Sequence, residues 1–238
     1  MALSQNYATL RDLDELGVAA EALASLSAAH KRRGILAASA RIAPYLRKRH
    51  QLPLRPDVTP IDTSGLVGGG SASLVVVSAP VLVQDIAVQV FDPGTVGFVG
   101  VTVQVSTDAG TTYGPLTALA LTGSLTIDGV MLTLAGPLAA GDVVSWSTRV
   151  DFGLCEATVS IAAFIMLNNR GLDPASMETL EARWTKALQW ATDIGKGIGE
   201  LDGADDATPG LDEVGVLFDT DASPYAWTDT QRSAVRGG

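Results

Sequence analysis

Hydrophobic periodicity changes twice along this chain, and the two changes limit what it can fold into. Up to about residue 65, apolar residues recur three and four apart: Leu10, Leu13 and Leu16, then Leu23 and Leu26, then Ile35, Leu36, Ala40, Ile42 and Leu46. That spacing lines one face of a helix. The stretch Leu66–Phe152 instead carries β-branched runs, Leu74-Val75-Val76-Val77 and Val99-Gly100-Val101-Thr102-Val103-Gln104-Val105, bounded by Gly and Pro. Strands have that composition. Helical spacing returns at Val159, Ile161, Phe164, Ile165 and Leu167, and again at Leu180, Trp184, Leu188 and Trp190. The expected fold class is α+β. Residues 1–65 and 153–203 form a small α-helical bundle, interrupted by an inserted antiparallel β-sandwich or barrel module over 66–152. An extended C-terminal arm follows over 204–238. Such an insertion needs the chain ends at the cut to lie close together on the surface.

Local signals sharpen this reading. Thr9 can cap a short helix that Gly17 ends, and Ser27 or Ala28 can start a long one reaching about His50. Pro44 inside it predicts a bend near Ile42–Pro44, or two helices. Gln51–Pro60 reads as an extended linker, and Leu66–Ser73 as a flexible joint. Strands are expected at Leu74–Ser78, Gln84–Phe91, Val99–Thr107, Leu125–Ile127, Val130–Leu134 and Val143–Asp151. Asp128-Gly129 has the spacing of a type I′ hairpin. Ala157–Leu167 is apolar on nearly every side and should be the central buried helix. Asp173 and Pro174 open an amphipathic helix over Met177–Lys196, whose end Gly195, Gly197 and Gly199 should fray.

Charge is unevenly placed in a chain of net charge −10. Every formal charge from His30 to Arg55 is positive, and every one from Glu200 to Asp229 is negative. Lys31, Arg32, Arg33, Arg41, Arg47, Lys48 and Arg49 form a candidate basic face toward a neighbouring copy; Arg47–Arg49 also complement a helix C-terminus. The acidic arm lacks a periodic stripe but carries isolated anchors, Leu217, Phe218, Tyr225 and Trp227, which are candidates for docking on a partner surface. No apolar run is long enough to span a bilayer, and the first residues lack the charge pattern of a signal peptide. Synthesis in a cytoplasm is expected, with no membrane partner.

Catalytic constellations are missing. The two histidines, His30 and His50, lie in basic stretches, and Cys155 is the lone cysteine. A thiol nucleophile would need a nearby base, but Cys155 reads more simply as a small buried residue. Gly68-Gly69-Gly70 lacks the Lys-Ser/Thr of a phosphate loop. Asp202, Asp205 and Asp206 lack the Gly and closing Glu of a calcium loop. The expectation is a non-enzyme with no cofactor, no metal and no catalytic residue.

Three pieces, in order, resemble the head–tail connector (adaptor) proteins of tailed bacteriophages, of the Mu-like prophage type. They are Tyr7–Leu13 with its short acidic helix; Ile35–Leu54, where Tyr45-Leu46 leads into Leu52-Pro53-Leu54; and Arg183-Trp184 through Gly203, with Ala187-Leu188-Gln189-Trp190 and Asp193-Ile194. The resemblance covers roughly residues 5–60 and 153–203. It implies a structural virion protein of the neck: a ring, commonly of twelve copies, beneath the portal protein. Such a ring extends the channel for genomic DNA without sequence-specific binding and docks a stopper, head-completion or tail protein. The β module departs from the family pattern. A competing reading is a carbohydrate-binding or adhesive decoration protein that works through the β module.

Overall fold

In the computed structural model, residues 5–16, 20–98, 100–168, 170, 172, 174–199 and 201 are described. Helices α1 (Leu10–Leu16), α2 (Ala20–Ala24) and α3 (Ala28–Leu46) come first. Among the described residues the strands that follow are β1 (Asp57–Val58), β2 (Asp62–Gly65), β3 (Ser71–Val76), β4 (Gln84–Asp92), β5 (Gly94–Thr95), β6 (Thr102–Ser106), β7 (Thr117–Ala118), β8 (Ser124–Ile127), β9 (Val130–Ala135), β10 (Pro137–Leu138) and β11 (Val143–Arg149). Helices α4 (Phe152–Leu167) and α5 (Pro174–Gly195) close the order. The fold is α+β, as the periodicity implies.

The caps follow the local chemistry. Thr9 and Asp12 exchange bonds at the start of α1: Asp12 Oδ2 accepts from the Thr9 amide at 2.7 Å, and Thr9 Oγ1 accepts from the Asp12 amide at 3.3 Å. This is a capping box with Asp in the Glu position. Ser27 caps α3, accepting from the His30 amide, and Asp151 caps α4, accepting from the Leu154 amide at 2.9 Å. Helix α3 is one element, not two, because Pro44 falls in its last turn, and it ends at Leu46 rather than His50. Pro174 is the first residue of α5, while Gly17 and Asp173 lie outside the described residues. The end of α5 is capped, not frayed. Gly197, at φ 76°, sends its amide to Ile194 O while Ile198 N reaches Asp193 O. That is the Schellman arrangement, and a left-handed residue there suits Gly.

One apolar cluster holds the helices. Leu13 of α1, Leu23 of α2, Ile35, Ile42 and Leu46 of α3, Leu154, Ile161 and Leu167 of α4, and Leu180, Ala187, Ala191 and Ile194 of α5 all contribute to it. Helix α4 is the buried centre, as expected from its uniform apolarity. A second cluster holds the strands. It takes Ile86, Val88 and Val90 of β4, Val103 of β6, Val144 and Trp146 of β11, and Val130, Leu132 and Leu134 of β9. Two antiparallel sheets supply it: one ordered β1-β11-β4-β6-β7, with β2 also on β11, and one ordered β3-β9-β8. The alternating burial of β11 and β9 puts Val144 and Trp146 of one, and Val130, Leu132 and Leu134 of the other, into this cluster. The sheets stay open, so the barrel alternative is set aside. A β5–β10 ribbon completes the strands. Asp128 (φ 43°) and Gly129 (φ 78°) join β8 to β9 with the left-handed pair of a type I′ turn.

The strand region begins at Asp57, not Leu66, because β1 and β2 both pair with β11. Leu66–Ser73 is not a flexible joint either. Asp142 accepts from the amides of Val67 (2.8 Å), Gly68 (3.2 Å) and Ala139 (2.8 Å), and β3 already starts at Ser71. Burial would raise the Asp142 pKa, but the amides of Ala139, Val67 and Gly68 prevail and hold it below the ordinary carboxylate value.

Candidate functional site

The densest polar chemistry among the described residues sits where helices meet strands. Arg149, the last residue of β11, reaches two carboxylates with one nitrogen. Its Nη2 bonds Asp85 Oδ1 of β4 and lies 3.6 Å from Asp12 Oδ1 of α1. Ser147 Oγ donates to the same Asp85 oxygen at 2.7 Å. Thr9 donates its amide and its hydroxyl to Asp12 Oδ2, at 2.7 and 2.9 Å. Both acids are buried, with Asp85 4 % and Asp12 7 % exposed. Sequence reasoning passed over this cluster, since its members run from Thr9 to Arg149 and no local spacing marks them.

Two further ties join the same parts. Gln5 Nε2 donates to Leu54 O and Val81 O, both at 2.7 Å, and its Oε1 accepts from the Leu54 amide at 2.9 Å. Arg32 Nη2 donates to Asp108 Oδ2 at 2.8 Å. Burial would raise the Asp108 pKa, but hydrogen bonds from Thr112 and Ser106, helped by Arg32, hold it below the ordinary range. A cleft of about 320 Å³ opens between these ties, lined by Thr9, Arg32, Gln84, Asp85 and Asp108 among others.

The basic stretch does not form one face. Lys31 bonds Asp14 at 2.5 Å and Arg32 bonds Asp108. Arg41 lies over the Trp184 ring, 5.6 Å from its centroid, and Trp184 stacks on Phe164 at 4.8 Å. Lys48 lies over Tyr45 at 5.9 Å. Arg33, Arg47, Lys48 and Arg49 keep contact with solvent. Lys31 and Arg47 stand roughly 24 Å apart along the helix axis at 1.5 Å per residue, so Lys31–Arg33 and Arg47–Arg49 lie at opposite ends of α3, with Arg41 between them. Leu217, Phe218, Tyr225 and Trp227 lie outside the described residues.

Cys155 is buried beside Asp12, while His30 sits exposed in the first turn of α3. Burial, followed by the charge and hydrogen bond of Asp12, pushes the Cys155 thiol pKa far up. Burial likewise pushes the Tyr7 hydroxyl up to about 12. A thiolate is the nucleophile, so this buried thiol should react slowly in the native state. In the unfolded chain the thiol ionises near 9, while the folded thiol stays protonated. The unfolded state therefore binds fewer protons above that pH, and stability should fall as pH rises past about 9. We expect an aromatic disulfide reagent at pH 8 to label Cys155 only in denaturant. Rapid labelling of the native protein would contradict the burial.

Among the described residues, no group of three or more His, Cys, Asp or Glu is placed to hold a metal ion. No helix among them is long and apolar enough to cross a membrane. No protein-family model and no curated protein matches the chain. Similar solved structures include the flagellar junction protein FlgL from Legionella pneumophila, at 15 % identity and TM-score 0.28, covering 63 % of this chain and 55 % of that one. Another is FlgL from Xanthomonas campestris, at 17 % identity and TM-score 0.27, covering 70 % and 56 %. The chain spans little more than half the length of these proteins. At such scores the likeness carries no argument about fold or function.

Proposed function

We propose that this chain is a structural virion protein: a head–tail connector that forms a ring beneath a portal and docks a stopper or tail protein. One observation carries the reading. The first two pieces that resemble adaptor proteins are separated from the third by the whole strand region, yet the apolar residues of all three share one cluster. Tyr7, Ala8 and Leu13 meet Ile35, Ala38, Ile42, Leu46 and Leu54 from the second piece, and Ala187, Ala191, Ile194 and Leu201 from the third. Under this reading the helices are one discontinuous domain, and the strands are a module inserted after the Leu52-Pro53-Leu54 exit. The pairing Asp57↔Arg149 supports the insertion, because it brings the module's entry and exit side by side. The role is non-enzymatic, and DNA passes through the ring without sequence-specific contact.

Electron microscopy of the purified protein, alone and mixed with portal-bearing capsids, tests this. The expected result is ring-shaped density below the portal vertex. Saturating protein that leaves the vertex bare would end the proposal.

A second reading, sugar binding by the β module, draws on two exposed aromatics. Phe91 is 53 % and Phe98 73 % exposed, and sugar platforms use such rings. Trp146, by contrast, is buried in the strand cluster. Binding on a glycan array that Phe98→Ala abolishes would favour this reading over the connector.

A further inference from the structure

Sheet β3-β9-β8 contains no charged residue in any strand, in a chain with 16 basic and 26 acidic residues. Strand β3 forms one edge of it. It pairs with β9 from Ser71↔Ala135 to Val76↔Val130, and no strand among the described residues lies on its other side. Val77 N bonds Gly129 O at 2.9 Å. Odd-numbered residues thus turn their main-chain groups toward β9, and Ala72, Leu74 and Val76 turn theirs outward. Val75, Val76 and Val77 stand 50 %, 52 % and 62 % exposed along this rim.

Natural edges are blunted by charge, proline, a bulge, a cover or extreme shortness. The outer strands of the larger sheet, β1 and β7, use shortness, with two residues each. Strand β3 has six residues, carries none of these devices, and lies in a stretch without charge from Thr63 to Gln84. Charge also selects the occupant. Copies of a chain with net charge −10 repel each other over most of their surface, and the neutral sheet is where they can approach without that cost. The strand is also its own complement. Set antiparallel to itself with Leu74 opposite Leu74, it places Ala72 opposite Val76, and every outward main-chain group meets a partner.

We propose that β3 is a self-association edge that pairs antiparallel with β3 of a second copy about a twofold axis. This does not depend on the connector reading, since a twofold pair joins two copies whatever the helices dock to. Six residues bury less than a standard interface, so the pair should be weak, with Kd of about 100 μM.

Sedimentation of the full chain is the test. Wild type should shift from monomer to dimer around that concentration. Val75→Lys with Val77→Lys should weaken association by about tenfold or more, with an unchanged circular-dichroism spectrum. Leu74→Cys should oxidise to a disulfide-linked dimer, since a hydrogen-bonded antiparallel pair holds its Cα atoms about 5.5 Å apart. Wild type that stays monomeric at about 1 mM, tenfold above the expected Kd, overturns the proposal. So does a folded lysine variant that dimerises like wild type, or a Leu74→Cys chain that stays monomeric under oxidation.

Discussion

Replacing Arg149 by Ala should destabilise the fold by about 3–5 kcal/mol, the range for removing one partner of a buried ion pair. The substitution strands Asp85, bonded to Ser147, and Asp12, bonded to Thr9, in a junction that exposes little of either acid. Both acids converge on the single Nη2 atom, and Nη1 is buried with no hydrogen-bond partner among the described residues. A lysine ammonium could therefore replace the one nitrogen in use, and Arg149→Lys should recover part of the loss. Urea titration of the three proteins measures this. An alanine variant within about 1 kcal/mol of wild type would show the pair to be solvated and of surface strength.

This junction also changes what an insertion means here. Excising the strands leaves α1 with a buried Asp12 and no Arg149. A helical fragment with residues 57–149 replaced by a short linker should thus fold better when it also carries Asp12→Asn. The paired entry and exit at Asp57↔Arg149 make the excision geometrically mild. The lost ion cluster and the lost Gln5–Val81 bond make it energetically unfavourable.

The parts of the fold that could be read from sequence are those whose signal is local. The strands expected at Val143–Asp151 and Val130–Leu134 were legible in the sequence, and one face of each enters the apolar cluster. Ser27 marked a helix start, because its side chain bonds an amide three residues on. Strands β1 and β2, Asp57-Val58 and Asp62-Thr63-Ser64-Gly65, carry no alternation and bury no side chain, so nothing distinguished them from a linker. They exist because β11 offers them main-chain partners, which is a tertiary cause. The charge pattern misled for the same reason. Lys31 and Arg32 read as part of a basic run, yet each has a carboxylate partner far along the chain, Asp14 and Asp108. Arg149 stood unremarked among polar strand residues, although it joins α1, β4 and β11.

Two apolar clusters joined by the Arg149 ion cluster, with Arg32–Asp108 and Gln5 as further ties, should unfold as a single unit only while the junction holds. Ile161→Ala in the middle of α4 and Leu132→Ala in β9 each remove a side chain with 0 % exposure. Each should cost about 2–5 kcal/mol, the transfer of the lost carbons plus the cavity left behind. Leu132 is paired on both sides, opposite Leu74 and Leu125, so its cavity has little room to collapse. Ile161 sits on a helix with buried residues on nearly every side, which restricts collapse there as well. In an otherwise native chain, a cut in either cluster should lower hydrogen-exchange protection in both, because the buried carboxylates penalise opening one part alone. With Arg149→Ala in addition, that penalty has already been incurred. Leu132→Ala should then speed exchange in β4, β9 and β11 while α4 keeps its protection. If the two parts lose protection independently even with Arg149 present, the junction is only a contact, and the helices and strands are thermodynamically separate.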